Sequence, residues 1–244
     1  MDTLADLKAA LRKTAIPEKA KASAWFFKTG PGQYGEGDQF IGISVPEQRK
    51  VARTFKDLPL TQVERLLKSP IHEERLVALF ILVAQFQSAS RRSDEKTKKE
   101  IYSFYLANTA QVNNWDLVDS SAGYIVGTYL LDKPRDILYK LAVSKSLWER
   151  RIAAISTLAF IMEGEAADTL KIAEILLSDK EDLMHKAVGW MLREVGKRVS
   201  REELVKFLKK NYQKMPRTTL RYAIEHFPDQ QRKKFLLGEF DLKN

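Results

Sequence analysis

Apolar side chains recur along the chain at intervals of three and four residues, which is the spacing of one face of an α-helix. No stretch alternates apolar and polar residues over enough positions to make a β-sheet. The pattern predicts fifteen helices, near residues 2–14, 17–28, 46–57, 60–68, 70–87, 93–108, 111–118, 120–131, 135–144, 147–162, 165–177, 181–198, 201–211, 216–226 and 228–237. Such short helices with brief turns favour stacked helical pairs over a bundle.

Helical pairs of roughly 35–45 residues suit HEAT-type repeats. The predicted fold is therefore all-α, a curved α-solenoid of stacked HEAT-like helical pairs, forming a single domain over residues 1–244. The inner helices of such a superhelix line an extended concave surface, which is the expected place for a large ligand.

Helix starts are marked by segments in which Ser or Thr precedes Glu by three residues, the pattern of the capping box. These segments are Ser44–Glu47, Thr61–Glu64, Ser146–Glu149, Ser178–Glu181 and Ser200–Glu203. Ser69 and Pro70 predict a cap followed by proline at the first helical position. One stretch, Thr29–Asp38, holds four glycines and a proline and cannot form a stable helix. We interpret it as a surface loop, with a phosphate cradle as the alternative.

The composition of the chain restricts the classes of partner and of chemical site that the protein can have. Lys and Arg number 41 against 32 acidic residues, a net charge of +9, which favours a polyanionic partner over the alternative of a merely soluble basic protein. The absence of cysteine excludes disulfides and thiolate metal sites, and no two of the three histidines have a metal-ligand spacing. The longest apolar run, Leu76–Ala84, is too short to cross a bilayer. We expect a cytoplasmic protein without metal.

The positive charge is concentrated between Lys180 and Arg221, where twelve Lys and Arg face five acidic residues. Within the predicted helix 181–198, four side chains share one face: Lys186, Trp190, Arg193 and Lys197. The apolar face is carried by Ala187, Val188, Met191, Leu192 and Val195. Trp190 either packs partly inward or offers a flat ring to a ligand that the cations attract.

Two further positions are unusual. Ile155, Leu158 and Met162 predict an inward stripe on helix 147–162, and Arg151 extends this stripe by one turn. A buried cation there either pairs within the stack or lies at the rim of a cleft. Trp115 and Asp119 are four residues apart on one helix face, where the carboxylate either braces the repeat or lies in a site.

An aromatic run, Trp25, Phe26 and Phe27, lies on the second predicted helix. Helical geometry predicts that two of the three rings belong to the core and that at most one faces a groove.

Several segments together resemble the AlkD-like family of DNA glycosylases, bacterial DNA alkylation repair enzymes. They are Trp115–Asp119, Leu147–Arg151 and Ala187–Glu194, with flanking similarity in Gln39–Ile43, His72–Arg75 and Pro216–Tyr222. The resemblance implies a curved stack of HEAT-like helical pairs and hydrolysis of the N-glycosidic bond of cationic alkylated purines, such as N3-methyladenine and N7-methylguanine. It also implies a monofunctional enzyme that uses no metal or cofactor.

By the same resemblance, the catalytic carboxylate matches Asp119, the two cleft tryptophans match Trp115 and Trp190, and the cleft arginine matches Arg151, with Arg150 the weaker candidate. The expected partner is double-stranded DNA containing alkylated bases, bound by a monomer that becomes nucleoid-associated, with no membrane partner. Candidate DNA-binding residues are Arg150, Lys186, Arg193, Lys197, Arg217 and Arg221. Two alternatives remain, a noncatalytic binder of duplex or branched DNA and a helical scaffold for an acidic protein.

Overall fold

A computed structural model describes residues 3–240 of the chain. Contacts divide the molecule into two compact units, the first ending at Ile125 and the second beginning at Val126. The single domain expected over residues 1–244 stays a prediction.

The first unit is built around one long helix. Its helices are α1 (Leu4–Arg12), α2 (Pro17–Phe26), α3 (Val45–Thr54), α4 (Leu60–Leu67), α5 (His72–Arg91), α6 (Glu95–Ala107) and α7 (Trp115–Asp119), with a 3₁₀ turn at Thr109–Gln111. Helices α3, α4, α6 and α7 all pack on α5. The first half of α5 is therefore buried on every side, from His72 to Leu82, as expected of a helix that is apolar all round.

The second unit is organised around α12. Its helices are α8 (Asp136–Ala142), α9 (Leu147–Ser156), α10 (Leu158–Met162), α11 (Ala167–Leu176), α12 (Asp182–Arg198), α13 (Arg201–Asn211), α14 (Arg217–Ala223) and α15 (Asp229–Leu236), with a 3₁₀ turn at Tyr212–Lys214. Helix α12 packs on α9, α10, α11, α13 and α14. A Cβ at Gly189 would lie 2.5 Å from the Cβ of Tyr222, so glycine allows α12 and α14 to approach closely.

The predicted all-α class is confirmed. Within residues 3–240 there is no strand, and the β-type pairing found there is an isolated parallel bridge between Gln39 and Ile71. Several helices that follow one another in the chain pack together within a unit, as in stacked helical pairs: α4 with α5, α5 with α6, α8 with α9, and α12 with α13. Across residues 3–240, no helix combines the length and the apolar character needed to cross a bilayer.

Two predicted helices are present but differ in detail from the prediction. The segment predicted as a helix at 120–131 contains a π-helical stretch, Gly123–Gly127. The predicted helix 147–162 is divided at Thr157, whose hydroxyl donates to the carbonyl of Ala154 at 2.7 Å and so competes with the regular backbone pattern. Met162 was expected to face inward, but its side chain is 58% exposed.

Two of the five segments predicted as capping boxes cap a helix start, in each case through the Ser hydroxyl. Ser146 and Ser200 accept hydrogen bonds from the backbone N–H groups of Glu149 and Glu203, at 3.4 Å and 3.1 Å. Ser44 precedes α3 without a side-chain cap. The remaining expected starts are displaced, because α4 begins at Leu60, α5 at His72 and α12 at Asp182.

The prediction for the aromatic run on α2 was also wrong. The side chains of Trp25 and Phe26 are 83% and 56% exposed, and Phe27 is half-buried. Helix α2 contributes no fully buried residue to the first unit, so helical spacing alone did not decide which of its faces is covered.

Candidate functional site

Helix α7 carries two of the predicted site residues, Trp115 at its start and Asp119 at its end. The side-chain oxygen of Asn114 accepts a hydrogen bond from the backbone N–H of Trp115 at 2.8 Å and so fixes the first turn. After the helix, the hydroxyl of Ser121 donates to the carbonyl of Leu117 at 2.6 Å. The short helix is thus held at both ends, which orients the indole and the carboxylate.

Asp119 is half-buried, and its negative charge acts on the phenol of Tyr105. Burial raises the pKa of Tyr105, its hydrogen bond with Ser121 lowers that pKa, and the negative charge of Asp119 raises it further. A carboxylate at a helix C-terminus faces the negative end of the helix dipole and does not stabilise its own helix. Asp119 therefore gains no stabilisation from the dipole of α7.

A buried polar network lies at the start of α7. Both ring nitrogens of His72 are within hydrogen-bond distance of carboxylates, Nδ1 at 2.9 Å from Asp38 and Nε2 at 2.8 Å from Asp116. Arg75 donates to the second oxygen of Asp38 at 2.6 Å, and Asn114 donates to Asp38 at 3.1 Å. The network joins the end of the glycine-rich loop to the first turns of α5 and α7.

The network holds His72 as a cation. Burial lowers the pKa of His72, but the hydrogen bonds to Asp116 and Asp38 outweigh this effect and raise it to about 9. For Asp38, burial raises the pKa, while the hydrogen bond with His72 and the charge of Arg75 lower it below its usual range. An imidazolium between two carboxylates is a paired buried charge, so losing one member leaves another uncompensated.

The raised pKa of His72 predicts a pH-dependent stability. The contribution is complete below the ordinary pKa of 6.5 and is lost as pH rises through about 9. We expect it to reach up to about 3 kcal/mol, since one pKa unit corresponds to about 1.4 kcal/mol. Urea unfolding at about pH 6 and about pH 10 should show a loss of stability that His72→Gln lacks. Parallel pH profiles for the two proteins would contradict the assignment.

An aromatic stack rests on the same histidine. The Phe40 ring stacks on His72 with centroids 4.7 Å apart, and the Phe27 ring lies 4.9 Å from it. Trp115 in turn stacks on Phe27, with centroids 5.4 Å apart and ring planes at 19°, and the centroid of the Phe26 ring lies 6.1 Å away at 72°. The ring faces are favourable neighbours for a cation. Trp115 is thereby fixed through its backbone cap and through its ring.

This network was not predicted from the sequence. Among the sequence-based expectations, His72 and Arg75 were named only as part of a segment that resembles the family. Asp38 was named only as the last residue of the glycine-rich loop. The sequence did contain a signal for buried charges. Three consecutive charged residues, 73–75, come directly before an apolar helical run. Charged side chains buried there need partners. The partner Asp38 lies 34 residues from His72 in the chain, so local spacing could not identify it.

In the second unit, the two neighbouring arginines of α9 have different surroundings. Arg150 forms an ion pair with Asp179 at 2.6 Å and donates to the carbonyl of Ser144 at 3.0 Å. Arg151 is only 5% exposed and donates to the carbonyl of Leu183 in the first turn of α12 at 2.6 Å. Arg151 therefore connects α9 to α12.

Helix α12 carries the predicted basic face. Its apolar face is confirmed, because Ala187, Val188, Met191, Leu192 and Val195 are all buried. The side chain of Trp190 is half-buried. This degree of burial is compatible with both predicted arrangements, a ring packed partly inward and a ring offered to a ligand. Lys186 pairs with Asp182 at 2.7 Å, and Arg193 pairs with Glu225. Lys197 is exposed, which leaves its charge available to a ligand.

The remaining cations predicted to bind DNA lie on α14. Arg217 donates to the carbonyl of Leu236 at 2.7 Å, and Arg221 is exposed. Several predicted phosphate contacts are thus already engaged within the second unit. Their binding to an anion would require exchange of an existing partner, whereas Lys197 and Arg221 require none that the structure describes.

Comparison with known proteins agrees with the sequence resemblance. A family model described as "DNA alkylation repair enzyme" matches residues 7–227. A solved structure from Enterococcus faecalis, described as a "Predicted DNA alkylation repair enzyme", superposes with a TM-score of 0.69 at 19% identity, covering 88% of this chain and 98% of that one. At this identity the likeness shows the fold. No curated protein matches the sequence. The match over most of its length shows that the chain belongs to the family of DNA alkylation repair enzymes.

Proposed function

We propose that the protein is a DNA glycosylase that hydrolyses the N-glycosidic bond of cationic alkylated purines in duplex DNA, as the first step of base excision repair. The observation that carries this proposal is the pair formed by Trp115 and Asp119, an indole and a half-buried carboxylate at the two ends of one fixed helical turn. Membership of an alkylation repair family supports the choice of substrate class.

The chemistry requires few groups. Alkylation at N3 or N7 gives the purine a positive charge, so it leaves as a neutral base without protonation by a general acid. As the C1′–N bond stretches, the sugar becomes an oxocarbenium-like cation, which the Asp119 carboxylate stabilises more than the ground state. The same carboxylate orients a water molecule and accepts its proton as the oxygen bonds to C1′.

The other site residues have supporting roles in this proposal. The face of the Trp115 ring packs against deoxyribose, where its negative quadrupole favours developing positive charge, and Trp190 offers its ring to DNA on the second unit. Arg151 is assigned the role of holding the DNA backbone in register; it is 5% exposed and already donates to the carbonyl of Leu183. Lys197 and Arg221 contact phosphates directly, with Arg150, Lys186, Arg193 and Arg217 contributing to the positive potential.

A direct assay tests the function. The purified protein, incubated with dimethyl-sulfate-treated duplex DNA without added metal, is expected to release N7-methylguanine and N3-methyladenine. Chromatography of the free bases measures the release, and the uncatalysed loss from the same DNA is the control. If no base is released above that control while binding falls steeply with salt, the protein is a noncatalytic DNA binder instead.

A further inference from the structure

A cavity in the first unit is lined by the residue that follows the candidate catalytic Asp119 in the chain. Its volume is about 240 Å³, and its walls come from α3, α5 and the segment after α7. Ser120, the residue that follows Asp119, lines this cavity, as does Tyr124. The Cα atom of Ser120 is about 3.8 Å from that of Asp119, so the backbone of Asp119 adjoins the wall of the cavity.

Two arginines from α3 define the chemistry of the cavity. The guanidinium of Arg49 lies over the Phe80 ring, 4.1 Å from its centroid, which holds the cation in place without neutralising it. Arg53, one helical turn later, is exposed. Neither guanidinium forms an ion pair with a carboxylate within residues 3–240, in contrast to Lys50, which pairs with Glu47 at 2.6 Å on the same helix.

The rest of the lining suits an anion. None of the lining residues is acidic, and Gln87, Ser120 and Tyr124 add neutral hydrogen-bonding groups. Tyr124 is 51% exposed, so its hydroxyl is available to a ligand. Paired guanidinium groups with neutral donors match the charge and the fork geometry of a phosphate.

We propose that Arg49 and Arg53 form a phosphate-binding site that holds the DNA strand next to the nucleotide being processed. The inference rests on the proposed function, because that function places a deoxyribose against Asp119. Each deoxyribose is joined to phosphates on both sides, so a site that begins one residue from Asp119 meets the backbone that flanks the lesion. None of the DNA-binding residues predicted from the sequence lies in this cavity.

The test measures binding alone. Fluorescence anisotropy uses a short duplex carrying one tetrahydrofuran abasic-site analogue, with flanking phosphates replaced singly by neutral methylphosphonates. For wild type, one flanking replacement is expected to weaken binding roughly tenfold, the effect of losing one charge-assisted contact. The variant Arg49→Gln/Arg53→Gln should bind the phosphate and methylphosphonate duplexes equally at that position. Its salt dependence should fall by about one to two in log–log slope.

Lys50→Gln is the matched control, since it removes an exposed cation from the same helix and should retain the wild-type slope. Because Arg49 packs on Phe80, the single variant Arg53→Gln provides a second measurement that leaves this packing intact. Wild-type affinity and slope in both arginine variants would overturn the site, as would equal methylphosphonate losses in wild type and variants. If these variants lose affinity while wild type releases no methylated purine, the phosphate site holds and the glycosylase proposal fails.

Discussion

Replacing Asp119 with asparagine is expected to slow the release of N7-methylguanine by roughly 10²- to 10³-fold, the range found when one electrostatic stabiliser of a transition state is removed. The substitution keeps the size of the side chain and removes its charge. The oxocarbenium-like sugar then loses its counter-charge, and the water loses its base. Single-turnover kinetics on methylated duplex DNA measure the chemical step directly.

Binding should separate from chemistry in the same variant. Asp119→Asn removes a negative charge from a surface that meets phosphates, so its affinity for unmodified duplex should equal or slightly exceed that of wild type. Asp57→Asn is the control, because Asp57 is an exposed carboxylate of the same unit and its loss should leave the rate unchanged. A wild-type rate in Asp119→Asn would show that another group stabilises the transition state.

Replacing Gly42 with alanine is expected to destabilise the first unit by about 4 kcal/mol, well above the typical cost of a point substitution. Gly42 has a φ of +82°, and an added Cβ would lie 2.0 Å from the carbonyl oxygen of Ile16 and 2.6 Å from the backbone nitrogen of Ala20. Both are backbone atoms and cannot rotate away. The N–H of Gly42 also donates to the buried carboxylate of Glu73 at 2.8 Å, so any shift weakens that bond too.

Gly32→Ala is a matched control for backbone strain. Gly32 has a similar φ of +73°, but an added Cβ there would meet nothing within 4 Å. Its cost should be limited to the left-handed conformation, about 1–2 kcal/mol. Urea unfolding of the two variants isolates the steric contribution as the difference between their free energies of unfolding. Equal midpoints would contradict the close approach of the chain at Gly42.

The chemical groups of the candidate site were largely visible in the sequence, but their surroundings were not. Trp115 and Asp119 could be placed together because a helix brings residues four apart onto one face. The buried face of α12 followed from the same periodicity. The pairing of Arg150 with Asp179 and of Arg193 with Glu225 joins residues 29 and 32 apart, and no local pattern reports such distances.

The sequence by itself determined the helical class, most of the helices and the basic character of the chain, because each depends on spacing within a few turns or on composition. Only the tertiary structure decided that Trp25 is exposed, that His72 is held between Asp38 and Asp116, and that Arg49 and Arg53 share a cavity with Ser120. Burial and charge pairing depend on which helix covers which face. That choice comes from the packing of residues distant in the chain, where the free energy of one contact depends on all its neighbours.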